Sequence, residues 1–129
     1  MFPPREFETA RLFARPPKLQ DAEPVFEAYG QDPDVTRYLI WEPYTDVEDL
    51  RKFFHNGIRN WVANVSYPYM LCLKGTDNPI GSIHLNIDNS SAAFGYLLSK
   101  PYWGQGLILE ALSYLVDWAL AQPQIYRAW

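Results

Sequence analysis

Two features of this chain could do chemistry. The first is a pair of glycines, Gly104 and Gly106, set just before a long segment of periodic apolar residues. Glycine has no Cβ, so a ligand can approach the backbone closely. The first turn of a helix carries N–H groups without intrahelical acceptors, and with the helix dipole they suit a phosphate or diphosphate. The same spacing also suits a plain tight turn, so it leaves both readings open. The second feature is histidine. His55 and His84 are the only two, and an imidazole titrating near pH ~6.5 can serve as a general base. His84 is the better placed, because it shares a polar strand face with Ser82 and Asn86. A hydrogen-bonded structural histidine is the alternative there. No His, Cys or carboxylate set has metal-ligand spacing, so no metal is expected. The single cysteine, Cys72, excludes an internal disulfide. It lies in the apolar run Tyr69-Met70-Leu71-Cys72-Leu73 and reads as a buried thiol, not a nucleophile.

The elements that must position these residues follow from periodicity. Residues 92–98 read as a strand ended by Lys100 and Pro101. A helix follows over about 104–121, with Leu107, Leu109, Ala111, Leu112, Leu115, Val116, Ala119 and Leu120 recurring mostly at three and four. Pro123 lies just past its end. Upstream, Ile83, Leu85 and Ile87 alternate with Ser82, His84 and Asn86, which predicts a strand over 80–87. Residues 67–74 form another. The clusters 75–79 and 88–91 are turns, so three strands make an antiparallel meander.

Earlier in the chain, residues 1–6 read as a loose arm and 11–15 as a strand stopped by Pro16 and Pro17. Asp21–Tyr29 has the spacing of a helix. Thr45 and Glu48 have capping-box spacing for a second helix to about Val62, with His55 partly exposed on it. Its apolar face is Leu50, Phe53, Phe54, Ile58, Trp61 and Val62. Residues 125–129 begin a further strand. The order is β-α-α-β-β-β-α-β, an α+β chain of one domain over 1–129.

Composition narrows the partners. The 129 residues are 48% hydrophobic and 20% charged, so a packed core is expected rather than a disordered chain. A net charge of −4 with no basic stripe argues against nucleic acid. No apolar run reaches the ~20 residues of a membrane span, and Met1-Phe2-Pro3-Pro4-Arg5-Glu6 is not a signal peptide, so a cytoplasmic protein is expected.

Two strings carry more than spacing. Phe94-Gly95-Tyr96-Leu97-Leu98-Ser99, then Tyr102-Trp103-Gly104-Gln105-Gly106-Leu107, then Glu110-Ala111-Leu112, resembles the acetyl-CoA motif of the GNAT N-acetyltransferase superfamily. Glu8-Thr9-Ala10-Arg11-Leu12-Phe13-Ala14-Arg15-Pro16 resembles the E-T-x-R-L-x-L-R-P opening of its ribosomal-protein N-terminal acetyltransferase (RimJ/RimL-like) branch. The resemblance covers nearly all of residues 8–129. It implies a three-layer fold with a mixed, mostly antiparallel sheet flanked by helices. It also implies a C-terminally truncated domain without the usual last helix and strands. An exposed C-terminal strand would then invite a homodimer.

The resemblance implies acetyl-CoA as co-substrate, held by Tyr96, Leu97 and Leu98 on the strand and by Trp103, Gly104, Gln105, Gly106 and Leu107 on the loop. The N–H of Leu97 or Leu98 would polarise the acetyl carbonyl. The acceptor would be a primary amine, on a protein N-terminus or a small molecule. Tyr38, Trp41 and Asn86 would line its pocket, and His84 would be the base. Two positions depart from the family pattern. Pro101 stands at the loop's usual Gln or Arg, and Ala93 stands where a carboxylate base often precedes the Gly-Tyr. Glu110 matches a structural family position. The alternative is a non-catalytic relative that binds CoA, dimerises, or both, without turnover.

Overall fold

The structure, a computed structural model, describes residues 3–27, 47–88, 91–122 and 127–128. The strands are β1 (Phe7–Glu8), β2 (Leu12–Arg15), β3 (Tyr67–Leu73), β4 (Pro79–Asp88), β5 (Ser91–Leu98) and β6 (Arg127–Ala128). The helices are α1 (Ala22–Val25), α2 (Val47–Ala63) and α3 (Leu107–Leu120). The sheet runs β1-β2-β3-β4-β5-β6 in sequence order, antiparallel throughout except for the parallel β5–β6 pair. Its two faces are covered by different helices, which makes the expected three-layer, α+β arrangement.

One face carries Leu12, Ala14, Tyr69, Leu71, Ile83 and Leu85, and α3 packs on it through Leu107, Ala111, Leu115 and Ala119. These four lie at i, i+4 steps, so they form one stripe. Burying each leucine there contributes about 1.5–3 kcal/mol. The opposite face is closed by α1 and α2, where Ala22, Val25, Leu50 and Phe54 meet Met70. β3 is therefore covered on both sides, which is why its sequence runs apolar without alternation. Cys72 is fully buried in it, and burial pushes its thiol up to about 11, far from a nucleophile's range.

Several local expectations are corrected. Gly104 and Gly106 precede α3 rather than opening it, and Leu109 and Leu120 are exposed. Val62 is also exposed, because the face of α2 that packs is Leu50, Phe54, Gly57 and Trp61. His55 is exposed on α2. The N-terminal arm is not loose over its described part. Pro3 is buried, the Tyr69 hydroxyl donates to the Pro4 carbonyl, and Phe7 forms a strand with β2. The Phe7 ring stacks on Tyr114 of α3 at 4.3 Å and meets Tyr69 edge-on at 5.2 Å. A two-residue strand has no room to alternate, so periodicity passed over it. α1 begins after a single 3-10 turn at Leu19–Asp21 and spans four residues. The expected cap Thr45, and Tyr38 and Trp41, lie outside the described residues.

Candidate functional site

β5 is the strand on which the site is built. It pairs with β4 along its whole length, from Asp88↔Ser91 to Gly81↔Leu98. On its other side β6 pairs only at Ser91 and Ala92. Among the described residues, the edge from Ala93 to Leu98 has no second strand. The Ser99 N–H donates to the Ile80 carbonyl at 2.7 Å, which fixes the alternation of the ladder. Ala93, Gly95 and Leu97 turn their backbone groups toward β4. Phe94, Tyr96 and Leu98 turn theirs to the free edge. Of the two candidate N–H donors, the register therefore favours Leu98 over Leu97. The Leu97 side chain instead packs against the α1–α2 cluster. The Leu98 carbonyl accepts the Trp103 indole N–H at 2.7 Å, so its N–H is the group left for a ligand.

A tight turn links this edge to α3. Tyr102 N–H donates to the Ser99 carbonyl and Trp103 N–H to the Lys100 carbonyl. The Gln105 amide donates to the Pro101 carbonyl at 3.3 Å. The backbone then turns left-handed at Gly104 (φ 77°) and at Gly106 (φ 75°), the N-cap of α3. The first bond inside the helix is Glu110 N–H to the Gly106 carbonyl. The N–H groups of Leu107, Ile108 and Leu109 thus have no intrahelical acceptor. Among the described residues, a Cβ at Gly104 would meet nothing within 4 Å, so none of them blocks an approach to the backbone there. A bare backbone, a row of unsatisfied donors and the dipole's positive end fit a diphosphate. Pro101 at the departing position still serves the turn through its carbonyl.

His84 stands directly opposite Gly95 across the β4–β5 ladder, and Asn86 opposite Ala93. Both share the sheet face turned to α1 and α2. Asn86 is exposed and His84 half-buried. Among the described residues, a Cβ at Gly95 would meet nothing within 4 Å, so none of them fills the space beside His84. Burial pushes the His84 pKa below its ordinary value, which keeps the imidazole neutral near pH 7 and able to accept a proton. In the sequence His84 stands out by its chemistry and its strand face alone; the register adds the opening beside it.

Two residues not singled out as site residues also gather here. Arg11, in the turn before β2, places its Nε 3.6 Å from Glu110 Oε2 in the first turns of α3. Its Nη2 lies 3.8 Å from where a Cβ on Gly106 would be. Trp103 acts as a brace through its indole. No periodicity signals these contacts, since Arg11 and Glu110 come from opposite ends of the chain. Among the described residues, no three of His, Cys, Asp and Glu cluster as metal ligands, and no helix is long and apolar enough to cross a membrane.

Comparison with known proteins agrees with this geometry. Residues 11–129 match the acetyltransferase (GNAT) domain family. The chain is 31% identical to an uncharacterized N-acetyltransferase, p20, of Bacillus licheniformis, over 92% of this chain and 68% of that protein. In fold it is similar to the microcin C7 self-immunity acetyltransferase MccE, solved with acetyl-CoA and AMP (TM-score 0.77, 18% identity, 90% of this chain and 66% of that one). It is also similar to RimL, the ribosomal L7/L12 α-N-protein acetyltransferase (TM-score 0.76, 19% identity, 91% and 65%). The chain thus spans about two-thirds of the length of these relatives.

Proposed function

We propose, from the premise that this chain belongs to the GNAT acetyltransferase family, that it binds acetyl-CoA along the free edge of β5 and acetylates a primary amine. The amine is a protein N-terminus or a small molecule, and the reaction would be a direct transfer in the cytoplasm: a C–N bond forms, the thioester C–S bond breaks, and CoA leaves as the thiol with the proton lost by the amine. The observation that carries this reading is the outward N–H of Leu98 on the strand edge, joined by the tight turn 99–106 to the helix start at Leu107–Leu109, whose N–H groups have no intrahelical acceptor. When bound, acetyl-CoA supplies an acetyl thioester to the site. The backbone of Tyr96 and Leu98 would pair with the pantetheine arm, and the Leu98 N–H would be the donor available to stabilise negative charge at the acetyl group. The turn Trp103–Leu107 would hold the diphosphate. His84, neutral at working pH, removes the proton from the acceptor ammonium, and Asn86 orients a water or the amine on the same face. Tyr38 and Trp41 are proposed to complete the acceptor pocket.

Titration of the purified chain with acetyl-CoA by calorimetry is the direct test. Saturable binding is expected; a folded protein that releases no heat and shows no binding overturns the reading. Light scattering on the same sample tests a dimer paired through the C-terminal strand. The second reading, a relative that binds CoA without turnover, rests on Ala93 in place of a carboxylate. It predicts binding with no transfer to any amine in an acceptor screen.

His84→Gln separates the two further. If His84 is the base, kcat falls by about 10²–10⁴-fold while acetyl-CoA affinity holds. The acid limb of the wild-type profile then lies below the ordinary histidine value of ~6.5. The same shift bears on stability. The unfolded chain takes up the proton near pH ~6.5 and the folded chain only at lower pH. Between those two values the unfolded state holds more protons, so stability falls as pH falls. Thermal unfolding of the wild type should lose ground from pH 7 to 5 relative to His84→Gln.

A further inference from the structure

We propose that Arg11 is a ligand of the cofactor's diphosphate, and that Glu110 is the positioning residue that aims it. The inference rests on the reading of the Gly104–Gly106 turn as the diphosphate cradle. Three observations carry it. Arg11 comes from the β1–β2 turn, a rigid place: Thr9 N–H donates to the Leu12 carbonyl at 2.9 Å, Leu12 N–H to Thr9 Oγ1 at 3.2 Å, and Lys74 N–H to the Arg11 carbonyl at 3.0 Å. Its side chain is still 48% exposed, although its Nε faces Glu110. The terminal Nη2 lies 3.8 Å from where a Cβ on Gly106 would stand.

Glu110 explains how the guanidinium is held. Among the described residues its buried Oε2 has no hydrogen-bond partner, and the 3.6 Å approach of Arg11 Nε is an ion pair longer than a hydrogen bond. Leaving a carboxylate oxygen so placed is costly unless a charge stays close. The pair therefore holds Arg11 from its Nε side. The two terminal nitrogens of the planar fork remain for an anion, the geometry that suits phosphate oxygens. Pro101 occupies the loop position where a polar side chain would otherwise reach the diphosphate. Arg11 restores a cation there from another element.

The test compares acetyl-CoA with S-acetylpantetheine, which carries the same arm and thioester without the diphosphate. Arg11→Gln is expected to weaken acetyl-CoA binding by about tenfold or more and to leave S-acetylpantetheine binding unchanged. The salt dependence of acetyl-CoA affinity should become shallower in the variant. Equal weakening of both ligands would mean that Arg11 only braces the loop, and no weakening of either would remove it from the site; each overturns the inference. Arg11→Lys keeps the charge without the fork and serves the same comparison if Arg11→Gln does not fold. A wild-type chain that fails to bind acetyl-CoA would instead sink the proposed function, so the two failures are distinguishable.

Discussion

Replacing Arg15 by methionine should destabilise the fold by about 3–5 kcal/mol, measured by urea unfolding with the m-value unchanged. Arg15 is 2% exposed, yet each of its five N–H donors has an acceptor. Nη1 and Nη2 donate to the two oxygens of Asp21 at 2.8 Å each, and to the carbonyls of Pro16 and Asp77 at 3.1 Å each. Nε donates to Asp77 Oδ1 at 2.8 Å. Burial alone would lower the Arg15 pKa, but the bonds and charge of Asp21, then Asp77, outweigh it and raise it. The methionine variant removes the cation and strands Asp21, itself 2% exposed, with the Lys18 N–H at 2.8 Å. The cost is that of an unpaired buried charge, not of a lost surface pair. The double variant Arg15→Met/Asp21→Leu should therefore lose less than the sum of its singles. Arg15→Lys should recover little, because an ammonium cannot grip both carboxylates. The network ties the end of β2 to the turn before α1 and to the β3–β4 turn, so it fixes the layer over His84's face.

Gly106→Val should lower acetyl-CoA affinity at least about 100-fold, with a loss of about 1–3 kcal/mol in stability. The two effects have separate causes. At φ 75° a β-branched residue is strained in the fold itself. Its side chain would also stand between the α3 N-terminus and Arg11 Nη2, in the space assigned to the diphosphate. A control isolates the second cause. Gly75, in the β3–β4 turn, has φ 86°, and a Cβ there would meet nothing within 4 Å among the described residues. Gly75→Ala thus carries backbone strain without reaching the site. It should lower Tm and leave acetyl-CoA affinity unchanged. Calorimetry and thermal unfolding on the two variants give both numbers. Loss of affinity in proportion to stability in both would remove the cradle from the binding argument.

Much of this protein was legible in the order of its residues. Periodicity located the meander and the two long helices, because a face that must be buried repeats at two residues in a strand and near 3.6 in a helix. The alternation of Ser82, His84 and Asn86 placed His84 on a polar face, and the burial pattern of β4 agrees. The glycine spacing and the two motif strings pointed to the family before any contact was known. Where periodicity misplaced side chains, as at Val62, Leu109 and Leu120, the apolar stripe was broader than the face the neighbours could cover.

What those residues meet depends on the closed fold. The choice of Leu98 over Leu97 needed the hydrogen-bond phase of the β4–β5 ladder, which one residue of slip would reverse. The β1 strand and the pinned N-terminal arm depend on Tyr69 and Tyr114, far along the chain. Arg15's burial depends on Asp21 and Asp77 converging on it. The meeting of Arg11 with Glu110 joins the two motif strings in one place, which neither string reveals alone. Local pattern records which face of an element is apolar, because that is set by residues three or four apart. Which polar groups pair across the core is set by how the elements close on one another, and that information is in the contacts.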